Sequence, residues 1–435
     1  MLLKTFKPLH FSFATVSSVS DIVFKFRQDL TLHEHESSRF IIPQNQLVPV
    51  DRQEANSLST GFLASNTELR VFRYPPEPPK DQSVNYPRNS FIQIHLPLGE
   101  NDDLKNRYIR FKPGLVRVGR LLEALDFTAG HVAYFHTMSR PFSYTCTLMT
   151  ACCDHLKFFR PIRGDRNILI NAYPTYVGKS TIEVRTDLMQ KIDGEKDETL
   201  AASALFLLAA RDTKDYSKSF NLTKISFEGE NDIEKCLLRS ELGKLNQEKR
   251  KSMGLQNYFK RPPTQEESLR LHSIFMNMKE KWRLNVDYYL MRDTRKSKSI
   301  LMHIQDRNIH GKIFGGYLMR ESIELAWLVA YKYAKFDHPE FEAIDDFTFH
   351  VPVEIGSILE LDATVTYSEA QFMNITVEAT KVMRNETEGR WERKKCTELH
   401  ISFRCPETAI IKPVYPATYA EAMKFLYSKR RMGRL

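Results

Sequence analysis

The chain lacks paired cysteines, a serine-nucleophile motif and any long apolar run. Its six cysteines include no C-x-x-C pair, and the adjacent Cys152 and Cys153 cannot form an ordinary unstrained disulfide or half of a normal zinc site. No G-x-S-x-G sequence occurs, which argues against the serine-triad class of enzyme. The longest apolar run, residues 200–210, is far shorter than the roughly 20 residues of a membrane-spanning helix. We therefore expect buried thiols in a reducing compartment and no integral membrane segment.

Acidic residues are outnumbered by basic ones, and none precedes Asp21. The 63 lysines and arginines against 54 aspartates and glutamates suit a partner that carries phosphates, whether nucleic acid, anionic lipid or a phosphorylated cofactor. Because no stacked-aromatic or basic-helix signature accompanies this charge, we expect no nucleic-acid partner. Residues 1–30 are basic, hydroxyl-rich and poor in acid, which is typical of a mitochondrial transit segment. The alternative is a flexible cytosolic tail, so we predict the mitochondrial matrix first and the cytoplasm second.

Ligand sets for a metal ion are equally sparse. Asp345 and Asp346 are adjacent acids at the start of a predicted strand, but no histidines stand at ligand spacing from them. The H-E-H-E sequence at residues 33–36 lies in a polar lead-in and is interpreted as a solvated segment. We predict no metal site.

A long internal repeat is present instead. Residues 117–138 place apolar side chains at helical spacing, and a second glycine-free and proline-free apolar stretch follows Gly315 and Gly316. Several segments with strand-like alternation follow each helix. Aligning the halves sets Gly119 on Gly316, which also sets Asp126 on Ile323. Each half is therefore predicted to form one module, which consists of a long helix followed by a meander of strands.

The fold class follows from the apolar character of the two helices. A helix that is apolar over most of its circumference must be buried broadly, and an antiparallel sheet with one apolar face can curl around it. We predict an α+β protein in which two helices are each wrapped by a curved antiparallel sheet. The predicted parts are a transit segment (1–30), a polar lead-in (31–88), a first module (89–227), a helical connector (228–284) and a second module with a C-terminal helix (285–435).

Two motifs carry a resemblance to a known family. Residues 308–319 read N-x-x-G-x-I-F-G-G-x-L-M, and residues 117–126 read R-V-G-R-L-L-E-A-L-D. Y-V-G-K-S at 176–180, A-A-R-D at 209–212 and D-D-F at 345–347 occur in the matching order. Over about residues 90–430 the chain resembles the double hotdog acyl-coenzyme A thioesterases, most closely the mitochondrial type 9 group.

This resemblance implies hydrolysis of acyl-coenzyme A to free fatty acid and coenzyme A, without a metal or a covalent intermediate. Coenzyme A would then be part of the substrate, and no separate cofactor is expected. Paired hotdog modules are expected to assemble further into homo-oligomers, with trimers of double modules as the specific expectation. The alternative is a catalytically inactive hotdog protein that binds acyl-coenzyme A or a protein partner as a sensor or scaffold.

The predicted active site combines the two halves. In related single-module enzymes the general base is an aspartate about fifteen residues after the motif asparagine, but that position here holds Ile323. The first half offers Asp126 at the matching place and has no asparagine at residues 111–114. We therefore expect one composite site, with Asn308 and the glycine pair from the second module and Asp126 from the first.

Each of these residues has a chemical role. Glycines opening a helix leave backbone N–H groups unpaired at the positive end of the helix dipole, so Gly315 or Gly316 would hold the thioester carbonyl. Asn308 would hold the water or orient the carbonyl, with simple helix capping as the alternative. Asp126 is expected to be an exposed aspartate with a pKa near 4, ionised at pH 7 and able to accept a proton. An ordinary solvated helix residue is the alternative for Asp126.

Basic residues near the two motifs are the candidates for binding the phosphates of coenzyme A. These candidates are Arg117, Arg120, Lys312 and Arg320. The second potential site, around Gly119 and Ile323, lacks both the asparagine and the carboxylate and is expected to be silent.

Overall fold

A computed structural model describes the chain between residues 46 and 432. The described residues are 46–50, 68–75, 83–110, 115–137, 146–194, 197–227, 237, 240–248, 262–283, 288–306, 311–334, 339–345, 347–385, 389–406, 409 and 411–432. The elements below belong to the compact unit Leu47–Leu435. The predicted transit segment, Asn308 and Asp346 lie outside the described residues.

The described helices and strands are, in chain order, as follows. The helices are α1 (Pro87–Ser90), α2 (Asp102–Tyr108), α3 (Val118–Thr137), α4 (Gln265–Arg283), α5 (Met291–Thr294), α6 (Gly315–Ala334) and α7 (Tyr419–Met432), with a 3₁₀ turn at Ile304–Asp306. The first nine strands are β1 (Val48–Pro49), β2 (Arg70–Arg73), β3 (Val84–Asn85), β4 (Ile92–Leu96), β5 (Thr147–Phe158), β6 (Ile168–Val177), β7 (Thr181–Lys191), β8 (Glu198–Arg211) and β9 (Lys224–Ile225). The others are β10 (Tyr289–Leu290), β11 (Lys296–Leu301), β12 (Glu340–Ile344), β13 (Phe347–Thr348), β14 (Ile358–Glu369), β15 (Phe372–Arg384), β16 (Trp391–Arg404) and β17 (Val414–Tyr415).

The first sheet wraps helix α3. Its eight strands lie in the order β1-β2-β4-β6-β7-β8-β5-β13, and the helix contacts β4 to β8. Only Val118, Arg120 and Gly130 among the 20 residues of α3 are not buried. Because almost no part of this helix faces solvent, the curved sheet supplies the apolar surface against which its side chains pack.

The second sheet repeats this arrangement around helix α6. Its five strands lie in the order β11-β14-β15-β16-β12. In the first sheet β4-β6-β7-β8-β5 stand in the same order, with the helix likewise inserted after the first of these strands. The predicted α+β architecture, two hotdog modules in tandem, is confirmed.

A short crossing segment connects the two sheets near the helix starts. After β12 pairs with β16 of its own module, β13 pairs with β5 of the first module, matching Phe347 with Cys153. The amide of Phe349 continues this pairing by donating to the carbonyl of Ala151 at 2.8 Å. A strand of the second module therefore lies beside Thr150 of the first.

The five described cysteines are buried and form no disulfide, and Cys236 lies outside the described residues. Among the described residues, no helix is long and apolar enough to span a membrane.

Candidate active site

Helices α3 and α6 approach closely at two glycines. A Cβ atom added to Gly316 would lie 3.0 Å from the Cα of Glu123, and one added to Gly119 would lie 3.0 Å from the carbonyl oxygen of Arg320. Only glycine allows backbones to approach this closely without displacement. The backbones of α3 and α6 are therefore in close contact near the start of each helix.

Asp126 lies at the contact between the two modules. Its side chain projects from α3 towards the first turn of α6, where Oδ2 accepts a hydrogen bond of 2.6 Å from the amide of Gly316. Its other oxygen, Oδ1, accepts a hydrogen bond of 2.7 Å from the hydroxyl of Thr150 on β5. The carboxylate of the first module therefore caps the helix of the second, a favourable place for a negative charge.

The environment of Asp126 differs from the expected one. The residue has no exposed surface, so the expectation of an exposed aspartate with a pKa near 4 is wrong. Burial raises the pKa of Asp126 to about 7, while the hydrogen bonds from Thr150 and Gly316 act in the opposite direction. Desolvation dominates because a buried carboxylate loses more hydration than two donors restore. Near neutral pH this carboxyl group is thus divided between its two protonation states.

The amide of Gly315 lies beside this carboxyl group. It is the first residue of α6 and is half-buried. No acceptor among the described residues pairs with its N–H group, which is one of the orphan donors of a helix start. A Cβ atom at Gly315 would lie 3.3 Å from both Oδ2 of Asp126 and Cβ of Thr150. The amide of Gly315 and the buried carboxyl group of Asp126 are therefore immediate neighbours.

Three phenylalanines surround this pair of groups. Phe349, from the segment after β13, would lie 3.4 Å from a Cβ at Gly315. The rings of Phe127 and Phe314 meet edge to face with centroids 6.5 Å apart. Phe127 is buried, whereas Phe314 and Phe349 are half-buried. The two polar groups therefore have aromatic neighbours from both modules.

Thr150 is the hydrogen-bonding residue of this site that sequence reasoning missed. It belongs to a strand 24 positions after Asp126, and no motif of the sequence includes it. Its contact with the carboxylate depends on how β5 lies across α3. A polar residue next to the apolar alternation of a predicted strand was the only available signal.

The equivalent place around Gly119 has different chemistry. Counting from Gly119 and Gly316, Ile323 occupies the position of Asp126, and it is buried. Arg117 and Glu324 occupy the positions of Phe314 and Phe127, and they form an ion pair of 3.0 Å. A carboxylate is thus replaced by an apolar side chain, and an aromatic contact by an ion pair.

The four basic candidates for phosphate binding all have acidic partners. Arg120 pairs with Glu123 at 2.9 Å, and Arg320 with the same carboxylate at 3.5 Å. Lys312 lies 3.5 Å from Glu354. Arg117 pairs with Glu324 as described above. Binding a phosphate at any of these residues would compete with a carboxylate already present, and their role as phosphate ligands stays a prediction.

No group of histidine, cysteine, aspartate and glutamate side chains that could hold a metal ion occurs among the described residues. The role of Asn308 also stays a prediction.

Comparison with known proteins identifies the family. Residues 114–196 match the model of the thioesterase superfamily. The acyl-coenzyme A thioesterase 2, chloroplastic, of Humulus lupulus is 33% identical over 319 residues, which cover 69% of this chain and 70% of that protein. The chain belongs to the acyl-coenzyme A thioesterase family. The predicted resemblance and the prediction of a thioester hydrolase are therefore confirmed.

Other family members are similar over a still larger part of the chain. The acyl-coenzyme A thioesterase 9, mitochondrial, of Mus musculus is 28% identical over 369 residues, which cover 81% of this chain and 80% of that protein. A solved structure of an acyl-CoA hydrolase from Staphylococcus aureus in complex with butyryl coenzyme A, coenzyme A and coenzyme A disulfide matches 34% of this chain and 90% of its own. That match has 23% sequence identity and a TM-score of 0.30.

Proposed function

We propose that this thioesterase family member hydrolyses acyl-coenzyme A at the composite site between its two modules. The observation that carries the proposal is the position of the buried Asp126 carboxyl group beside the amide of Gly315, which has no acceptor among the described residues. Thioester hydrolysis requires a base for the attacking water and a donor for the developing oxyanion. Both are contributed to one small volume by helices from different modules.

The donor assignment is Gly315 rather than Gly316. The amide of Gly316 is already occupied by Oδ2 of Asp126, whereas that of Gly315 is free among the described residues. The thioester oxygen accepts a hydrogen bond from Gly315, and the helix dipole of α6 adds to its stabilisation. A donor of this kind contributes on the order of a hundredfold to a thousandfold to the rate.

Asp126 acts as the general base. Its ionised carboxylate takes one proton from water while the water oxygen bonds to the thioester carbon, which gives a tetrahedral intermediate with its negative charge at Gly315. Collapse of the intermediate breaks the carbon–sulfur bond. The leaving thiolate takes the proton from Asp126, so that fatty acid and coenzyme A are released and the carboxylate is restored. A pKa near 7 suits this cycle, because the group must both accept and return a proton.

Thr150 is a positioning residue in this mechanism. Its hydroxyl group fixes Oδ1 of Asp126 and favours the ionised form of the carboxyl group. Asn308 is proposed, from its place in the motif, to orient the water or the acyl carbonyl.

The proposal also covers the location of the protein. The Mus musculus relative is named mitochondrial, and together with the basic, acid-poor residues 1–30 this supports a mitochondrial location. The matrix, the homo-oligomer and the absence of a cofactor stay predictions.

The test is release of coenzyme A, followed by chromatography, from acyl-coenzyme A substrates of increasing chain length. Wild type should release coenzyme A from at least one substrate, and Asp126→Asn should lower the rate by about a hundredfold or more. Glu324→Gln is the matched control, because it is the carboxylate one helix position beyond Ile323 and should retain activity. If Glu324→Gln is inactive while Asp126→Asn is active, the composite site is wrong. A wild type without activity would favour the sensor or scaffold.

A further inference from the structure

Glu123 and Arg320 occupy the same position in the two modules. Each is the fourth residue after the glycine that lets the helices approach, Gly119 in α3 and Gly316 in α6. Each glycine packs on the other member of the pair, Gly119 on Arg320 and Gly316 on Glu123. Residues with equivalent positions can touch each other only where the axis relating the two modules passes between them.

The two side chains meet on that axis as opposite charges. Nη1 of Arg320 lies 3.5 Å from Oε2 of Glu123, and the side chains are only 12% and 8% exposed. Arg120 adds a second cation to Glu123 at 2.9 Å, and Glu321 adds a second anion to Arg320 at 3.2 Å. The charges are thus largely removed from water and neutralise each other.

Packing between the two helices does not by itself require the Glu123–Arg320 ion pair. Buried ion pairs can often be replaced by apolar side chains without loss of stability, because desolvation offsets the attraction. Here Nε of Arg320 and Nε of Arg120 are buried without a hydrogen-bond partner among the described residues. A charge pair with unsatisfied donors on a symmetry axis contributes little to stability. Its effect on which modules can pair explains its presence better.

The ion pair disfavours the pairing of two identical modules. If two first modules paired through the same surface, Glu123 would face a second Glu123, and two second modules would bring Arg320 against Arg320. Like charges at a desolvated contact are strongly unfavourable. Neither pairing would produce the proposed active site, since a pair of first modules lacks the glycine pair and a pair of second modules lacks the Asp126 carboxylate.

We propose that the Glu123–Arg320 ion pair selects the pairing of unlike modules and holds Gly316 in register with Asp126. The pair lies one turn from each of these residues, so a change in how α3 and α6 meet would move the carboxylate away from the amide. In this inference the two residues act by positioning the catalytic groups. The selection of unlike modules is independent of the reaction, whereas the positioning role rests on the proposed function.

Charge reversal tests this inference in the full chain. Glu123→Arg and Arg320→Glu each place like charges on the axis, and each should lower the melting temperature and reduce coenzyme A release at least tenfold. The double variant E123R/R320E restores opposite charges and should recover activity to within about threefold of wild type. Arg163→Ala breaks an ion pair whose side chains are 53% and 49% exposed, and this control should leave both readouts unchanged.

A mixing experiment tests the selection directly. In each single variant, refolded alone, positions 123 and 320 carry charges of the same sign, but the Glu123 module of one variant matches the Arg320 module of the other. Refolding the two variants together should therefore produce a two-chain species with recovered activity, detected by light scattering and coenzyme A release. Absence of that species, or a double variant in cis no better than the worse single variant, would overturn the inference.

If charge reversal prevents folding, variants that only remove the charges can test the same inference. For Glu123→Gln, Arg320→Gln and their combination, the inference requires the double change to cost less in melting temperature than the two single changes added together. Additive effects would overturn it. These melting measurements need no activity, so they test the coupling between Glu123 and Arg320 even if wild type hydrolyses no substrate. Failure of the proposed function would instead be seen as a lack of coenzyme A release by wild type.

Discussion

The carboxylate of Asp126 and the amide of Gly316, 190 residues apart in the chain, are joined by a hydrogen bond of 2.6 Å between the two modules. This contact has two consequences. It places the charged group of the proposed chemistry at the positive end of helix α6, and in the proposed mechanism it leaves the neighbouring amide of Gly315 to the substrate. Neither module contains both groups, so the proposed unit of function is the pair of modules.

Replacing Asp126 with asparagine should stabilise the protein at alkaline pH. The pKa of Asp126 is raised to about 7 in the folded state, whereas an unfolded aspartate titrates near 4. Between these values the folded state binds the proton more tightly, so the stability of wild type falls as pH rises. Asp126→Asn removes this dependence, and its stability advantage should grow by about 3 kcal/mol from pH 5 to pH 8.

Denaturant unfolding of both proteins at the two pH values measures this difference. Asp103→Asn, at an exposed position in α2, is the control and should follow wild type at both. An advantage of Asp126→Asn that is the same at pH 5 and pH 8 would mean that the carboxyl group is not held protonated by burial.

The rate of hydrolysis should rise with pH across the neutral range. Only the ionised form of Asp126 can accept a proton from water, and burial raises its pKa to about 7. We expect kcat/KM to increase about tenfold per pH unit below that value and to level off above it. Chromatographic measurement of coenzyme A from pH 5.5 to 9 provides the profile. A rate that is constant from pH 5.5 to 7 would exclude a base with this pKa.

Removing the Thr150 hydroxyl group should move that profile. The hydrogen bond to Oδ1 favours the charged carboxylate, so Thr150→Val should raise the pKa of Asp126 further. A hydrogen bond to a charged group is worth about 1.5 to 3 kcal/mol, which corresponds to a shift of about one to two pH units. Thr150→Ser keeps the donor and should keep the wild-type midpoint. Equal midpoints for valine and serine would show that Thr150 does not control the carboxylate.

The sequence predicted those parts of the site that depend on spacing within one helix. The distance from a glycine to Asp126 or to Ile323 is fixed by the helix itself, so the missing carboxylate of the second module was detectable. The burial of Asp126 was not, because it depends on how Gly316 and Thr150 arrive from other elements. Phe349 reaches the site only because β13 crosses to the first sheet, and no local pattern encodes that crossing.

Alanine at Gly316 should separate the two helices, whereas alanine at Gly130 should not. A Cβ atom at Gly316 would lie 2.7 Å from Phe314 and 3.0 Å from the Cα of Glu123, and backbone cannot yield cheaply. We expect Gly316→Ala to cost about 1 to 3 kcal/mol of stability and most of the activity. Gly130, within α3, would meet no atom within 4 Å, so Gly130→Ala should gain up to about 1 kcal/mol from helix propensity. Thermal melts in which Gly316→Ala is as stable as wild type would contradict the close contact between α3 and α6, and Gly130→Ala is the control for a glycine without a close neighbour.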